Sequence, residues 1–302
     1  MASLREVEHL QIPLPLILSA TNSFDENNLI GKGGFGNVYQ GHSEQYGTIA
    51  VKRLDHRISG QGQHEFMMEI ALLSAYKHEN LASLVGFCDQ DGEKILVYKH
   101  ESNGSLDKVL QSKDLNWIQR LRICLDAAHG LKYLHDDVGP QHRKSSNILL
   151  DENWKAKISD FGLSKIGPAN VQYTFLISTA CGTIGYIDPE YLTQKSDVYS
   201  FGVVLFEVLC GRQARVRGYG DEGEFLFKLV RNHYPKGTIN VIIDFDLQKQ
   251  MTQLLWVSFR PLPINAWRHA SSGLWQNAAL QQGLSTSKDN RITQSGLRLM
   301  KR

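Results

Sequence analysis

The run Gly31-Lys32-Gly33-Gly34-Phe35-Gly36-Asn37-Val38-Tyr39 puts glycines where backbone N–H groups could close around an anion, and Ile49-Ala50-Val51-Lys52 follows with a lysine on an alternating apolar stretch. Side chains at Gly31, Gly33, Gly34 and Gly36 would keep those amides away from phosphate oxygens, and glycine tolerates the dihedrals such a loop needs. A lone G-x-G-x-x-G also punctuates ordinary turns. The valine at 38 and the lysine one strand later make the pattern specific. Together they describe a nucleotide phosphate site with a cation able to reach the same phosphates.

The elements that must hold these residues can be read from periodicity. Residues 29–31, 37–41 and 48–54 read as strand, glycine turn, strand and strand. Residues 63–75 have helical spacing, with Phe66, Ile70 and Leu73 as the apolar stripe, and 84–87 and 94–98 complete a small antiparallel sheet. A hinge is expected near 99–102. Beyond it the signals turn helical: 117–135 is the longest periodic segment, and 203–209 is apolar all round, as in a helix buried on every side. Residues 1–24 read as an extension with a short helix at 16–21.

Composition narrows the function classes. A chain of 302 residues with 42% hydrophobic and 21% charged residues is ordinary for a soluble globular protein large enough for two lobes. A net charge of +2 gives no reason to propose nucleic acid or an anionic membrane as the main partner. Cys88, Cys124, Cys181 and Cys210 are widely spread without C-x-x-C, which argues against zinc or disulfides and suits a reducing cytosol. No stretch approaches the ~20 apolar residues of a membrane span. A cytoplasmic chain is expected.

Further along, Asp160-Phe161-Gly162, Asp188-Pro189-Glu190 and Ser196-Asp197-Val198-Tyr199-Ser200-Phe201-Gly202 follow in order. With the glycine loop and Lys52, this set resembles the eukaryotic protein kinases from about Phe24 to about Leu247. Ala20-Thr21-Asn22-Ser23-Phe24, His78-Glu79-Asn80-Leu81, Asn103-Gly104-Ser105-Leu106 and Ser145-Ser146-Asn147-Ile148-Leu149-Leu150-Asp151 are typical of the plant receptor-like and receptor-like cytoplasmic serine/threonine kinases. The resemblance implies an α+β, two-lobed fold: a small antiparallel sheet with one long helix in the N-terminal lobe (25–100) and a mostly helical C-terminal lobe (101–251), after the 1–24 extension.

The resemblance also implies roles. Lys52 contacts the ATP α- and β-phosphates and pairs with Glu69, for which Glu65 is the competitor. Asp160 and Asn147 hold Mg²⁺, a hard cation that prefers oxygen. Phe161 packs beneath the helix carrying Glu69. ATP contacts fall to Ile30, Gly31, Gly33, Gly34, Phe35, Gly36, Val38, Ala50, Lys52, Leu149 and the gatekeeper Tyr98. Lys99-His100-Glu101 departs from the usual hinge and makes the pocket mouth more polar. Lys144 is the catalytic-loop lysine of serine/threonine kinases. Ser178 and Thr179 are phosphorylation candidates in the activation segment, Thr183 shapes the substrate-facing loop, and Glu190 closes the segment. The implied partners are a protein substrate, or a partner kinase or receptor that recruits the chain to the inner face of the plasma membrane.

Three departures bear on activity. Kinases carry H-R-D-x-K-x-x-N, whose aspartate accepts the substrate hydroxyl's proton. Here the chain reads Gly139-Pro140-Gln141-His142-Arg143-Lys144-Ser145-Ser146-Asn147, with no aspartate. Either His142 takes its place, or His142-Arg143 are the family pair and the next two residues are missing. Asp136 and Asp137, at the end of the preceding helix, are badly placed to substitute. The interval from Glu190 to Asp197 is also shorter than the family pattern. After Met251 the character changes: residues 252–302 hold one acidic residue, Asp289, against seven basic ones, and three of the five tryptophans. Arg260-Pro261 echoes a family Arg-Pro pair but comes too early, so this tail is read as unrelated to the family. Two function classes follow: a serine/threonine kinase with impaired turnover, or an ATP-binding pseudokinase that signals by docking. A non-functional gene product is the third reading.

Overall fold

The computed structural model describes residues 7–33, 36–55, 61–137, 147–161, 194–216 and 223–250. Five strands form one antiparallel sheet in the order β1-β2-β3-β5-β4: β1 Leu29–Gly33, β2 Gly36–Ser43, β3 Gly47–Leu54, β4 Leu84–Gln90 and β5 Glu93–Lys99. Each strand runs a residue or more beyond its apolar core, because ladder pairing continues through polar residues that alternation does not register. β5 is apolar on both sides for a reason visible in the packing. Ile95 and Val97 face a core shared with Ile49, Val51 and Cys88, whereas Leu96 and Tyr98 face the other core.

The second face is covered by α2 (Gln61–Ala75), whose Phe66, Ile70 and Leu73 are buried as the stripe predicts. A first helix, α1 (Leu14–Thr21), lies on the opposite side against β2. The expected extension is therefore packed onto the lobe over residues 7–24: Val7, Ile12 and Ile17 are all buried.

The C-terminal lobe begins with the short α3 (Leu106–Val109) and the long α4 (Trp117–Asp137). A two-stranded hairpin follows, β6 Ile148–Leu150 with β7 Ala156–Ile158, in the register Ile148↔Ile158. α5 spans Gln194–Cys210 and so takes in Ser196-Asp197-Val198-Tyr199-Ser200-Phe201-Gly202, the segment that resembles the start of the family's large buried helix, as well as the apolar run 203–209. Its apolar surface serves two clusters at once. Phe201, Val204, Leu205 and Val208 join the large core, while Phe206, Leu209 and Cys210 join a second core with Trp117, Leu121, Leu226 and Val230. α6 (Leu226–His233) and α7 (Phe245–Gln250) close that second core. Cys88, Cys124 and Cys210 are buried free thiols, and burial pushes the Cys210 thiol up to about 12. The tail from 251, including Arg260-Pro261, lies outside the described residues.

Candidate active site

Strand pairing sets the upper half of the site. Val38 on β2 is paired with Lys52 on β3, and Ala50 is paired across with Tyr98 on β5. Lys52 thus projects from the middle of a five-stranded ladder, with little freedom of its own.

Its Nζ lies 3.1 Å from Glu69 Oε2 and 3.0 Å from Asp160 Oδ1. The other oxygen of Glu69, Oε1, accepts the backbone N–H of Phe161 at 3.2 Å. Glu69, only 2% exposed, therefore uses both oxygens, one on the lysine and one on the segment that carries Asp160. Burial pulls the Lys52 pKa down, but the carboxylates of Glu69 and Asp160 outweigh it and hold the ammonium above the ordinary lysine range. Lys52 is a fixed cation at neutral pH. Glu65 is buried as well, one helical turn away, yet Glu69 is the residue that meets Lys52.

Asp160 adopts a left-handed backbone conformation, φ 61°. Aspartate tolerates this region better than most residues, at a cost of roughly 1–2 kcal/mol. The turn lets consecutive residues diverge: Asp160 reaches Lys52 while Phe161, fully buried, enters the core with Phe66 and Ile70. Asn147, also buried, sits at the start of β6. Its carbonyl accepts the Ser159 N–H at 2.8 Å and the Ser159 hydroxyl at 3.1 Å. The hairpin thereby brings Asn147 and Asp160 to one place.

The lower wall is tied to the hinge. The Asn103 N–H donates to the Leu150 carbonyl at 3.0 Å, the Leu150 N–H to the Gly104 carbonyl at 2.8 Å, and Leu149 bridges to Ser105. Ile30, Val38, Ala50 and Leu149 remain half-buried. Tyr98 is buried beside Glu69; burial, then the charges of Glu69 and Asp160, hold its phenol well above the usual range. Glu101 turns inward rather than widening a polar mouth, and burial raises its pKa.

The glycines divide into two kinds. A Cβ at Gly36, whose φ is 138°, would fall 2.0 Å from the Arg53 carbonyl, so the sheet itself requires glycine there. At Gly31 and Gly33 a Cβ would meet nothing closer than 3.6 Å and 3.9 Å respectively. The fold leaves those two positions open, which suits a loop that makes room for a ligand.

Gly34, Phe35, His142, Lys144, Ser178, Thr179, Thr183 and Glu190 lie outside the described residues. One contact had no signal in the sequence: the Lys108 ammonium on α3 donates to the Ile30 carbonyl of β1 at 3.0 Å, joining the two sides of the cleft. Nothing in the spacing of an exposed lysine marks such a partner.

A sequence profile of the protein tyrosine and serine/threonine kinase family matches residues 24–244. The chain belongs to the protein kinase family. The kinase is 45% identical, over 78% of its length, to the receptor-like protein kinase FERONIA of Arabidopsis thaliana. It is 52% identical to THESEUS 1 over 66% of its length and 45% identical to HERK 1 over 82%, both receptor-like protein kinases of that plant. It spans 28%, 24% and 31% of those three relatives, so it corresponds to under a third of each. The kinase is thus similar to the kinase portion of receptor-like protein kinases. Among the described residues no helix is long and apolar enough to cross a membrane.

Proposed function

We propose that this kinase domain holds ATP–Mg²⁺ between its lobes and transfers the γ-phosphoryl group to protein Ser/Thr hydroxyls only very slowly. The observation that carries the reading is Lys52 placed between Glu69 and Asp160, with Phe161 locked to Glu69. Lys52 would bind and orient the α- and β-phosphates, and Glu69 would keep it aimed. Asp160 and Asn147 would hold Mg²⁺, which supplies charge neutralisation at the phosphates when bound. The donor set fits: Mg²⁺ needs one or two carboxylates plus phosphate oxygens rather than a full protein cage. The open positions at Gly31 and Gly33 fit the phosphates in the same way.

Proton removal from the substrate hydroxyl is the step left without its residue. Nothing from Val138 to Ser146 is a carboxylate, and such general-base help contributes ~10²–10⁴-fold. His142 could take a proton only from a loop lacking the residues that normally precede it. A second reading, a nucleotide-binding pseudokinase that acts by docking to a partner kinase or receptor at the inner face of the plasma membrane, is favoured by the same pairing of intact nucleotide residues with a missing base.

Two measurements test what these readings share. Thermal shift with ATP and Mg²⁺ is expected to stabilise the purified protein; no shift counts against nucleotide binding. A radiolabelled-ATP assay is expected to give little transfer, and strong transfer that disappears in Asp160→Asn would refute slow turnover.

A further inference from the structure

The geometry points to residues 7–24 as a strap that positions both halves of the Lys52–Glu69 pair. This deepens the nucleotide reading by assigning the pair a control element outside the cleft.

The strap's first end lies against β4 and enters the core into which α2 also packs. Val7 is 4% exposed, in the same core as Phe66, Ile70 and Leu73, and Leu10 packs against that core. The chain then rounds the outer edge of the sheet. Gln11 forms a parallel bridge to Phe87, the Ile12 N–H donates to the Phe87 carbonyl at 2.8 Å, and the Leu14 N–H donates to Gln90 Oε1 at 2.8 Å. This also covers the edge of β4, which would otherwise present unpaired amides. On the far face Ile12 and Ile17 are buried with Ile49, Val51 and Val97.

Two strand glycines make the path possible. A Cβ at Gly86 would lie 2.4 Å from the Leu10 carbonyl and 2.7 Å from Ile12 Cδ1, and one at Gly41 would lie 3.1 Å from the Ala20 carbonyl. The sheet surface is shaped to receive the strap.

The second end belongs to β3. Asn22, Ser23 and Phe24 are all left-handed, with φ of 50°, 55° and 59°, a conformation disfavoured for L-residues and unusual as a run. It persists because its surroundings fix it. Thr21 Oγ1 accepts the Phe24 N–H at 3.2 Å and donates to the Ile17 carbonyl, and Asn28 Nδ2 donates to the Thr21 carbonyl. The Phe24 ring then lies 5.4 Å from Tyr39 and 4.5 Å from the Arg53 guanidinium. Arg53, adjacent to Lys52 on β3, is held in turn by Glu93, with Nε 2.8 Å from Oε2. One continuous segment therefore enters the core that backs the helix of Glu69 at one end and meets the strand of Lys52 at the other. A partner that lifted the strap would open the ion pair without entering the cleft.

The test uses the full chain with Gly86→Ala, which obstructs the strap's bed, Val7→Ser, which loosens its end, and the double variant. Either substitution is expected to speed hydrogen exchange across residues 61–75 by ~10-fold or more while β3 and β5 keep their protection. ATP–Mg²⁺ affinity should fall ~10-fold, Val7→Ile should behave as the parent, and the double variant should be no worse than the stronger single one, as coupled sites require. Uniform loosening of the whole lobe, additive losses, or unchanged exchange in 61–75 would overturn the assignment. Absence of nucleotide binding in the parent would count against the proposed function alone, because exchange in 61–75 reads the strap without nucleotide.

Discussion

The N-terminal lobe and the catalytic-loop region carry two halves of one chemistry in unlike ways. In the lobe, Lys52 is fixed by ladder partners on both sides, Val38 and Leu96, and Glu69 by a helix whose stripe is buried against the sheet. Lys52 and Glu69 thus each have several independent neighbours dictating their position. The catalytic base belongs to the connection between α4 and β6, where the sequence from Val138 to Ser146 offers only His142 and no carboxylate. Under the proposed function, nucleotide binding rests on regular structure and proton transfer on one connecting stretch. Although that stretch offers no carboxylate, β6 pairs with β7 in register and Asn147 meets Ser159.

The sharpest way to probe this contrast is to repair the weaker region. Inserting Ile-His-Arg-Asp-Val before Lys144 should raise phosphoryl transfer by ~10²–10⁴-fold in a radiolabelled assay, with nucleotide affinity little changed. Equal transfer before and after repair would mean that the base is not what limits the chain.

Damage to the stronger region should appear in binding. Lys52→Met removes a charge-assisted contact of ~1.5–3 kcal/mol, so the ATP–Mg²⁺ Kd measured by calorimetry should rise about 10–100-fold. It also leaves Glu69 buried without its cation, and the melting temperature should fall by several degrees. Unchanged melting would mean that Glu69 finds another partner.

A smaller effect is expected from Asp126 on α4. Burial raises its pKa to about 6, against which the Ala156 N–H donates to its carboxylate at 3.3 Å. The folded protein therefore holds this proton more tightly than the unfolded chain, and its contribution to stability is lost as pH rises from about 4 through 6. Asp126→Asn keeps an acceptor for Ala156 and has no charge to bury. It should melt higher than the parent at pH 7.5 by up to a few degrees, with the gap closing near pH 4, as followed by scanning calorimetry.

The smallest effect concerns the clasp across the cleft. The Lys108–Ile30 bond is exposed and should contribute ~0.5–1.5 kcal/mol at most. Lys108→Met should speed nucleotide release several-fold in a stopped-flow displacement experiment and leave the melting temperature nearly unchanged. A large stability loss would assign Lys108 to packing.

Much of this architecture could be read before the structure. The stripe Phe66, Ile70, Leu73 located α2, and the continuous apolar run 95–98 located β5, because burial on one or both faces writes itself into spacing. Element ends were less legible, since pairing and capping extend through polar residues. The choice of Glu69 over Glu65 rested on resemblance. Burial does not decide it, as both lie on the inner side of α2 one turn apart; only the position of β3 opposite the helix does. The strap was legible merely as an apolar extension. Its meaning depends on Phe87, Gly86 and Arg53, which lie more than twenty-five residues away in sequence yet touch it or its anchors.

The sequence by itself determined the family, the strands and long helix of the N-terminal lobe, and the absence of a carboxylate between Val138 and Ser146. Each of these is carried by residue identity and local spacing, which are properties of the chain alone. Tertiary structure decided which carboxylate meets Lys52, how Glu69 divides its oxygens between Lys52 and the Phe161 amide, and that residues 7–24 run along the sheet from the edge of β4 to β3. Those outcomes depend on distances between segments far apart along the chain. They are fixed by ladder register and core packing, which no local pattern records.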